Sequence, residues 1–283
     1  MGTLNLAFYE SSFLGAPGSV EGIFDALNSR QIIIGPIWFG NLAGETYGYW
    51  NDYQENIREE ICKLSYIYKQ VSFIFSERRD EPERVGIVAS VEIRWPETDR
   101  SKSQYPCHYL KLTTHATAMF TQEKYDGTNN CARLLELAEI LYQSYRPKFG
   151  WIERGLLSGY TTMEQIQNLE ISHVYWANFF GPDYVEKYGR EYFFGAPGWR
   201  CCLLADRGCM YVLSSNINRH KQGMKSLEEE VKSYFGISNV RKKNKPRKTS
   251  INREAKVSVG NLSENQLIDK IFDKLADHLF GKN

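Results

Sequence analysis

The feature that most constrains the fold is an alternation of apolar and polar residues in the first half of the chain. Apolar residues recur at every second position from Val85 to Trp95, and the run Cys107–Thr121 repeats the pattern. A period of two is typical of a β-strand with one buried face. The two runs are joined by the polar segment Pro96–Pro106, so they predict neighbouring strands of an antiparallel meander.

The same alternation predicts which side chains lie on the outer face of this sheet. Successive side chains of a strand point to opposite faces, so the residues between the apolar positions face outward. Charged and aromatic side chains on such a face could contact a protein partner. The candidate partner-binding residues here are Glu92, Arg94, Tyr109, Lys111 and His115. The loops around Trp38 to Tyr53 are an alternative recognition surface.

Helical and extended patterns over the rest of the first 238 residues predict the fold class. Apolar residues recur at helical spacing in Tyr53–Tyr68 and Cys131–Tyr145. Strands and helices come in separate runs, which predicts an α+β fold: a mainly antiparallel sheet with helices packed on one face. Further strands are expected at Gln31–Phe39, Val71–Phe75 and Phe149–Glu153, and short helices at Ser19–Leu27, Thr162–Asn168 and Ser226–Phe235.

The segment from His173 to Ser215 predicts a small unit of its own. A strand over His173–Phe180 ends at Gly181-Pro182, and a short helix follows over Pro182–Tyr188, closed by Gly189. A hairpin comes next. Its predicted arms are Trp199–Ala205 and Cys209–Ser215, joined by Asp206-Arg207-Gly208, in which Gly208 can take the positive φ of a tight turn.

This segment resembles the signature of a bacterial family of immunity proteins from polymorphic-toxin systems. In that family a Trp-x-Asn-x-x-Gly-Pro-x-Tyr-Val block precedes a Gly, an Ala-Pro and a hairpin. The resemblance implies a protein that neutralises a cognate toxin by direct binding. Trp176 and Trp199 are expected to be buried. The matching positions are Trp176, Asn178, Gly181, Pro182, Tyr184, Val185, Gly189, Ala196 and Pro197.

The sequence lacks the common signatures of catalysis. It contains no G-x-S-x-G, H-E-x-x-H, G-x-x-x-x-G-K-[ST], G-x-G-x-x-G or C-x-x-C motif. A zinc site built on Cys201, Cys202 and Cys209 would need a fourth ligand at an unusual spacing, so reduced core thiols are expected instead. We therefore predict no catalytic residue, no cofactor and no metal, with an enzyme of unrecognised type as the alternative.

The end of the chain differs in charge from the body. Residues 1–215 hold 20 Lys and Arg against 26 Asp and Glu, whereas residues 216–283 hold 15 against 8. The predicted domains are a body at 1–238, a basic flexible linker at 239–260 and an amphipathic helix at 261–283. An isolated helix of this length is marginal in water, so it must dock on the body, a second copy or another protein. Its apolar stripe adds the candidate partner-binding residues Ile271, Phe272 and Leu275.

These charges and the absence of targeting patterns predict the partner and the compartment. An acidic body favours a basic protein partner over nucleic acid, and the linker has no aromatic residues interleaved with its cations. No apolar run approaches the roughly 18 residues of a membrane span, and the first ten residues do not form a secretory signal. A cytoplasmic protein-binding protein is expected, with a homo-oligomer formed through the C-terminal helix as a further option. The alternative function is an accessory subunit of a bacterial defence or nucleic-acid-processing complex, tethered by its tail.

Overall fold

The computed structural model describes the parts of the chain that form the sheet and its flanking helices. These are residues 3–11, 19–28, 32–39, 49–50, 70–77, 87–94, 109–115, 121–122, 125–155, 161–217 and 225–237. All of them belong to one unit, Met1–Asn239. The predicted helix Tyr53–Tyr68, most of the linker 239–260 and the C-terminal helix with Ile271, Phe272 and Leu275 lie outside the described residues.

A ten-stranded sheet runs through the described residues. Its order is β11-β12-β10-β9-β1-β6-β5-β4-β2-β3, with β7 and β8 forming a separate pair. Every neighbouring pair is antiparallel. The strands are β1 Thr3–Ser11, β2 Ile32–Phe39, β3 Tyr49–Trp50, β4 Gln70–Glu77, β5 Val88–Arg94, β6 Tyr109–His115, β7 Thr121–Gln122, β8 Tyr125–Asp126, β9 Pro147–Arg154, β10 Ala177–Phe180, β11 Arg200–Leu203 and β12 Cys209–Val212.

Six helices accompany the sheet in the described part of the chain. They are α1 Ser19–Asn28, α2 Gly127–Tyr145, α3 Met163–Gln167, α4 Pro182–Tyr188, α5 Arg190–Phe194 and α6 Lys225–Tyr234. Thr162 caps α3, with its side chain accepting from the backbone N–H of Gln165. The α+β class is therefore confirmed. α5 was not predicted, because Gly189 was expected to end the helical segment.

The periodic segments fold as predicted where they are described. Along β5 and the residue before it, Ile87, Ala89, Val91 and Ile93 are buried. In α2 the apolar face from Leu134 to Tyr142 is buried, while residues on its far side are exposed. Because these positions face a common core, their apolar residues recur at a regular spacing. That spacing can be read directly from the sequence.

Apolar residues are buried on both faces of the sheet. Along β1, Leu6 and Phe8 belong to one cluster and Ala7 to another. The first cluster, here called the first core, packs under α1 and α2. The second cluster, the second core, packs under the short helices α3 to α6 at the β9–β10–β12 end. α1 and α2 thus share one face, whereas α3 to α6 cover part of the opposite face, which the prediction of helices on one face did not include.

Two strands depart from their predicted form for local reasons. The predicted strand His173–Phe180 is shortened to β10, because both backbone groups of Tyr175 bond to the Asn178 side chain instead of a neighbouring strand. In β2 the pairing with β4 shifts between Ile34 and Ile37. Pro36 lies within this shift and has no N–H to offer the ladder.

Candidate interaction surface

Most residues of the immunity-like signature have structural roles. Trp176 is fully buried, and its indole N–H donates to the Ser214 carbonyl at 2.8 Å. Its backbone N–H donates to a buried carboxylate oxygen of Glu153 at 3.0 Å. The Asn178 side chain accepts from the N–H of Tyr175 at 3.0 Å and donates to its carbonyl at 2.9 Å. These bonds fix the path of the chain before β10.

The next part of the signature is defined by backbone geometry. A Cβ at Gly181 would lie 2.8 Å from the Lys148 carbonyl oxygen, so only glycine fits between β9 and α4 without a shift. Pro182 occupies the first turn of α4, where its missing N–H costs nothing. Gly189 has φ of 87°, which favours glycine. None of these residues presents a reactive group.

Trp199 lies in the same segment, and its predicted burial is wrong. Its side chain is 48% exposed, although its backbone N–H donates to the carbonyls of Val212 and Leu213 at 3.0 and 3.2 Å. The indole precedes β11, which is an edge strand of the ten-stranded sheet. The backbone of Trp199 is therefore held by hydrogen bonds. The outer side of β11 has no paired strand among those described. The structure therefore exposes the largest side chain of this hairpin.

Trp199 is one of four large apolar side chains that are exposed among the described residues. The others are Phe194 at 40%, Leu203 at 38% and Tyr234 at 37%. Leu203 lies in β11 and Trp199 directly precedes that strand, and Cys201 between them packs against the second core. Phe194 and Tyr234 end the helices α5 and α6 that cover this core. We refer to Phe194, Trp199, Leu203 and Tyr234 as the apolar surface.

A stack of tyrosines holds part of the apolar surface in place. The rings of Tyr188 and Tyr192 lie 5.4 Å apart at 16°, and those of Tyr192 and Tyr234 lie 5.3 Å apart at 30°. The Tyr234 hydroxyl donates to the Tyr192 carbonyl at 2.8 Å, and the Tyr192 hydroxyl donates to the Tyr234 carbonyl at 3.3 Å. The Arg190 guanidinium lies 4.9 Å from the Phe194 ring centre. These contacts order the side chains before any partner arrives, which lowers the entropic cost of binding.

The predicted outer face of β5 and β6 brings four of its five candidate residues together. Glu92 is in register with Lys111, and Arg94 with Tyr109. An Arg94 nitrogen lies 2.6 Å from a Glu92 carboxylate oxygen, and the Arg94 guanidinium is 5.8 Å from the Tyr109 ring centre. His115 lies at the far end of β6, in register with Thr3.

Not all of this outer face is open to solvent. Tyr109 is only 5% exposed, and Thr113 is buried with its hydroxyl donating to the Asn5 side chain at 2.9 Å. The expectation that both residues face water is wrong. Strand alternation indicates which face a side chain lies on, whereas its exposure depends on its neighbours on that face. Tyr109 has Tyr9 and Arg94 as its register partners on the two adjoining strands.

The candidate surface in the sequence and the one in the structure therefore differ. None of the four residues of the apolar surface was selected from the sequence. Aromatic content alone could not separate exposed rings from core rings. Phe194 belongs to an unpredicted helix, and the exposure of Trp199 follows from the position of β11 at the edge of the sheet.

The remaining reactive groups are thiols. Within the described ranges no group of three or more His, Cys, Asp or Glu residues could hold a metal ion. Cys131, Cys201, Cys202 and Cys209 are all free thiols, and burial raises the pKa of Cys131 to about 11. None of the described helices has the length and apolar character needed to cross a bilayer.

Comparisons with known proteins give a structural likeness and no sequence match. No known family and no curated protein matches the chain. A solved structure, that of the T6SS protein PA0821 from Pseudomonas aeruginosa, is similar with a TM-score of 0.48 and 10% sequence identity, over 83% of this chain and 73% of the other. A likeness at this level identifies neither a family nor a function.

Proposed function

We propose that this protein is a non-enzymatic immunity protein that neutralises a cognate toxin in the cytoplasm by binding it directly. The observation that carries the proposal is the 48% exposure of Trp199 within a hairpin whose other arm is buried. Residues of the immunity-like signature have structural roles, and the apolar surface is formed by exposed side chains of the same region. Free thiols at four described cysteines agree with a reducing compartment.

The chemistry of the apolar surface is suited to protein recognition. Aromatic residues are enriched among the side chains that dominate binding energy, and the contacts around them exclude water. Here the exposed residues Arg190 and Arg200 lie close in sequence to Phe194 and Trp199. An aromatic centre with a polar rim is a common arrangement for a stable interface.

Co-expression with the toxin encoded by a neighbouring gene tests the proposed activity. The two proteins should form a complex that survives size-exclusion chromatography, and growth should be restored. Titration of purified protein against toxin activity should reach full inhibition near equimolar amounts, because binding consumes one copy per toxin. Full inhibition at far lower amounts would indicate turnover and would refute stoichiometric neutralisation.

Paired variants locate the binding surface. Trp199→Ala and Phe194→Ala should each weaken the complex by about tenfold or more, which corresponds to roughly 1.4 kcal/mol. Gln143→Ala removes an exposed side chain from α2 and serves as the control, with an unchanged Kd. Lys111→Ala tests the outer face of β5 and β6. If Lys111→Ala weakens binding and Trp199→Ala does not, the partner binds the sheet face instead.

The tail has a separate test. Deletion of residues 241–283 should leave the melting transition of the body unchanged while weakening oligomerisation or capture of the toxin. The double change Ile271→Asp and Phe272→Asp should have the same effect, because it places charge in the predicted apolar stripe. An insoluble or molten truncated body would contradict the proposed division into body, linker and helix.

A further inference from the structure

We propose that Cys201 and Cys209 form a dithiol site that a small-molecule disulfide, such as oxidised glutathione, converts into an intramolecular disulfide. This site goes beyond the proposed binding function and does not depend on it. Cys201 lies on the edge strand β11 and Cys209 on its neighbour β12. The two sulfur atoms are 3.2 Å apart.

Strand register explains why these two thiols meet. Cys201 is in register with Tyr211, and Leu203 with Cys209, so the two cysteines are diagonal neighbours on the same face. Cys209 belongs to the second core, and Cys201 packs against it. Cys202 follows Cys201 directly but packs against the first core, on the opposite face. The sequence Cys201-Cys202 therefore presents only one thiol to Cys209.

The two strands differ in how firmly they are held. β12 is paired on both sides, by β10 and β11, and the turn before it is anchored to α2. One Asp206 carboxylate oxygen accepts from the Gly208 N–H at 2.8 Å, and the other accepts from the Tyr142 hydroxyl at 2.9 Å. β11 has β12 as its one paired neighbour among the described strands. β11 can therefore shift toward a fixed Cys209.

Bond formation requires only a small approach of the sulfur atoms. A disulfide bond is about 2.05 Å long, so the sulfurs at 3.2 Å must close by roughly 1.2 Å. Rotation of the two side chains and a shift of the edge strand can share this movement. A diagonal bridge also draws the strands closer than unconstrained pairing would, and strained disulfides are more easily reduced. The bond is therefore expected to be reversible.

Exposure and hydrogen bonding assign the roles of the two thiols. Cys201 is partly exposed, whereas Cys209 is buried. The hydrogen bond between the two thiols lowers the pKa of Cys201, and the same interaction together with burial raises the pKa of Cys209. Since the thiolate is the nucleophile, Cys201 reacts first with the oxidant, and Cys209 reacts second.

The reaction balances in two exchange steps. The Cys201 thiolate attacks one sulfur of oxidised glutathione, which forms a mixed disulfide and releases one glutathione thiolate. Cys209 then loses its proton to the solvent and attacks the Cys201 sulfur, which forms the protein disulfide and releases the second glutathione. Two protein thiols are oxidised and one glutathione disulfide is reduced to two thiols.

Peptide mapping of the full-length protein tests the site directly. The protein is equilibrated with increasing ratios of oxidised to reduced glutathione, its free thiols are alkylated, and trypsin is added without reductant. Cleavage after Arg200, Arg207 and Arg219 separates the cysteines into the peptides 201–207 and 208–219. The expected product is a linked pair of these peptides, which should become the major form at the oxidising end and separate when dithiothreitol is added.

Single serine variants identify the bonded residues. Cys201→Ser and Cys209→Ser should abolish the linked pair, whereas Cys202→Ser should retain it at the wild-type glutathione ratio. Circular dichroism and the melting temperature confirm that each variant is folded. The proposal is overturned if the wild-type pair stays reduced at every ratio, if only glutathione adducts accumulate, or if Cys202→Ser abolishes the link while Cys201→Ser retains it.

Discussion

The two cores of this protein reach burial by different means. The first core is mostly aliphatic and lies between the sheet and two amphipathic helices, α1 and α2. The second core is mostly aromatic and lies under four short helices and the loops between them. Helices and strands satisfy their own backbone groups, so aliphatic side chains are sufficient to fill the space between them. Loops leave some backbone groups without a backbone partner. A core beneath loops therefore needs side chains that also hydrogen-bond to the backbone.

Two tyrosines in or against the second core meet that need. The Tyr188 hydroxyl donates to the Leu169 carbonyl at 2.8 Å, and the Tyr211 hydroxyl donates to the Pro197 carbonyl. In each case one ring fills apolar space while its hydroxyl satisfies a loop carbonyl. The aromatic character of this core also explains the apolar surface. Rings at the edge of the second core are exposed where the covering loops and helices end.

The largest expected difference concerns two tryptophans of the same segment. Trp176→Ala should lower the free energy of unfolding by about 3–5 kcal/mol, because it leaves a cavity in the first core. Trp199→Ala should change it by about 0.5 kcal/mol or less, because its ring is largely exposed. Chemical denaturation of both variants measures the contrast. Equal losses would mean that Trp199 contributes to a core, and the apolar surface would have to be redefined.

The next test removes the Asn178 side chain, which bonds to the backbone of Tyr175 in place of a neighbouring strand. Asn178→Ala leaves the N–H and the carbonyl of Tyr175 without their side-chain partner in a buried setting, which should cost about 2–4 kcal/mol. Gln167→Ala, at an exposed amide on α3, is the control and should be near neutral. Denaturant midpoints give both values. A loss below 1 kcal/mol for Asn178→Ala would show that the path before β10 is held by other contacts.

Glycine substitutions should have opposite signs in the two regions. Gly181→Ala should destabilise by about 1–3 kcal/mol, since its new Cβ meets backbone oxygens of β9 that cannot move freely. Gly22→Ala should stabilise by about 0.5–1 kcal/mol, because nothing lies within 4 Å of the added atom and alanine favours the α1 helix. Thermal melting of both variants decides the signs. A stabilising Gly181→Ala would contradict the close approach of β9 and α4.

The smallest expected effect tests the hydroxyls of the second core. Tyr188→Phe keeps the ring but removes the bond to Leu169, so it should cost about 0.5–1.5 kcal/mol. Phe193→Leu alters ring packing without touching a hydrogen bond and provides the matched comparison. Urea denaturation measures the free energy of unfolding that each variant loses. A neutral Tyr188→Phe would mean that the second core depends on ring packing alone.

Periodic segments could be predicted well from the sequence, and the candidate surface could not. The positions of β5 and α2 follow from apolar spacing, and the helix Pro182–Tyr188 follows from Pro182 and Gly189, which act locally. The hairpin was also predicted, but its positive φ lies at Arg207, at 73°, and not at Gly208. Gly208 is needed instead because a Cβ there would lie 2.8 Å from the Phe180 carbonyl oxygen. That contact is remote in sequence and leaves no local signal.

The sequence by itself determined the α+β class, the antiparallel pairing of β5 with β6 and the structural character of the residues from Trp176 to Gly189. Period, chain-breaking residues and fixed dihedral preferences are properties of a short stretch and can be read there. Only the tertiary structure decided that β11 lies at a sheet edge, that Trp199 is exposed beside it and that Cys201 faces Cys209. Exposure and contact depend on which distant strands become neighbours, and no single segment contains that information.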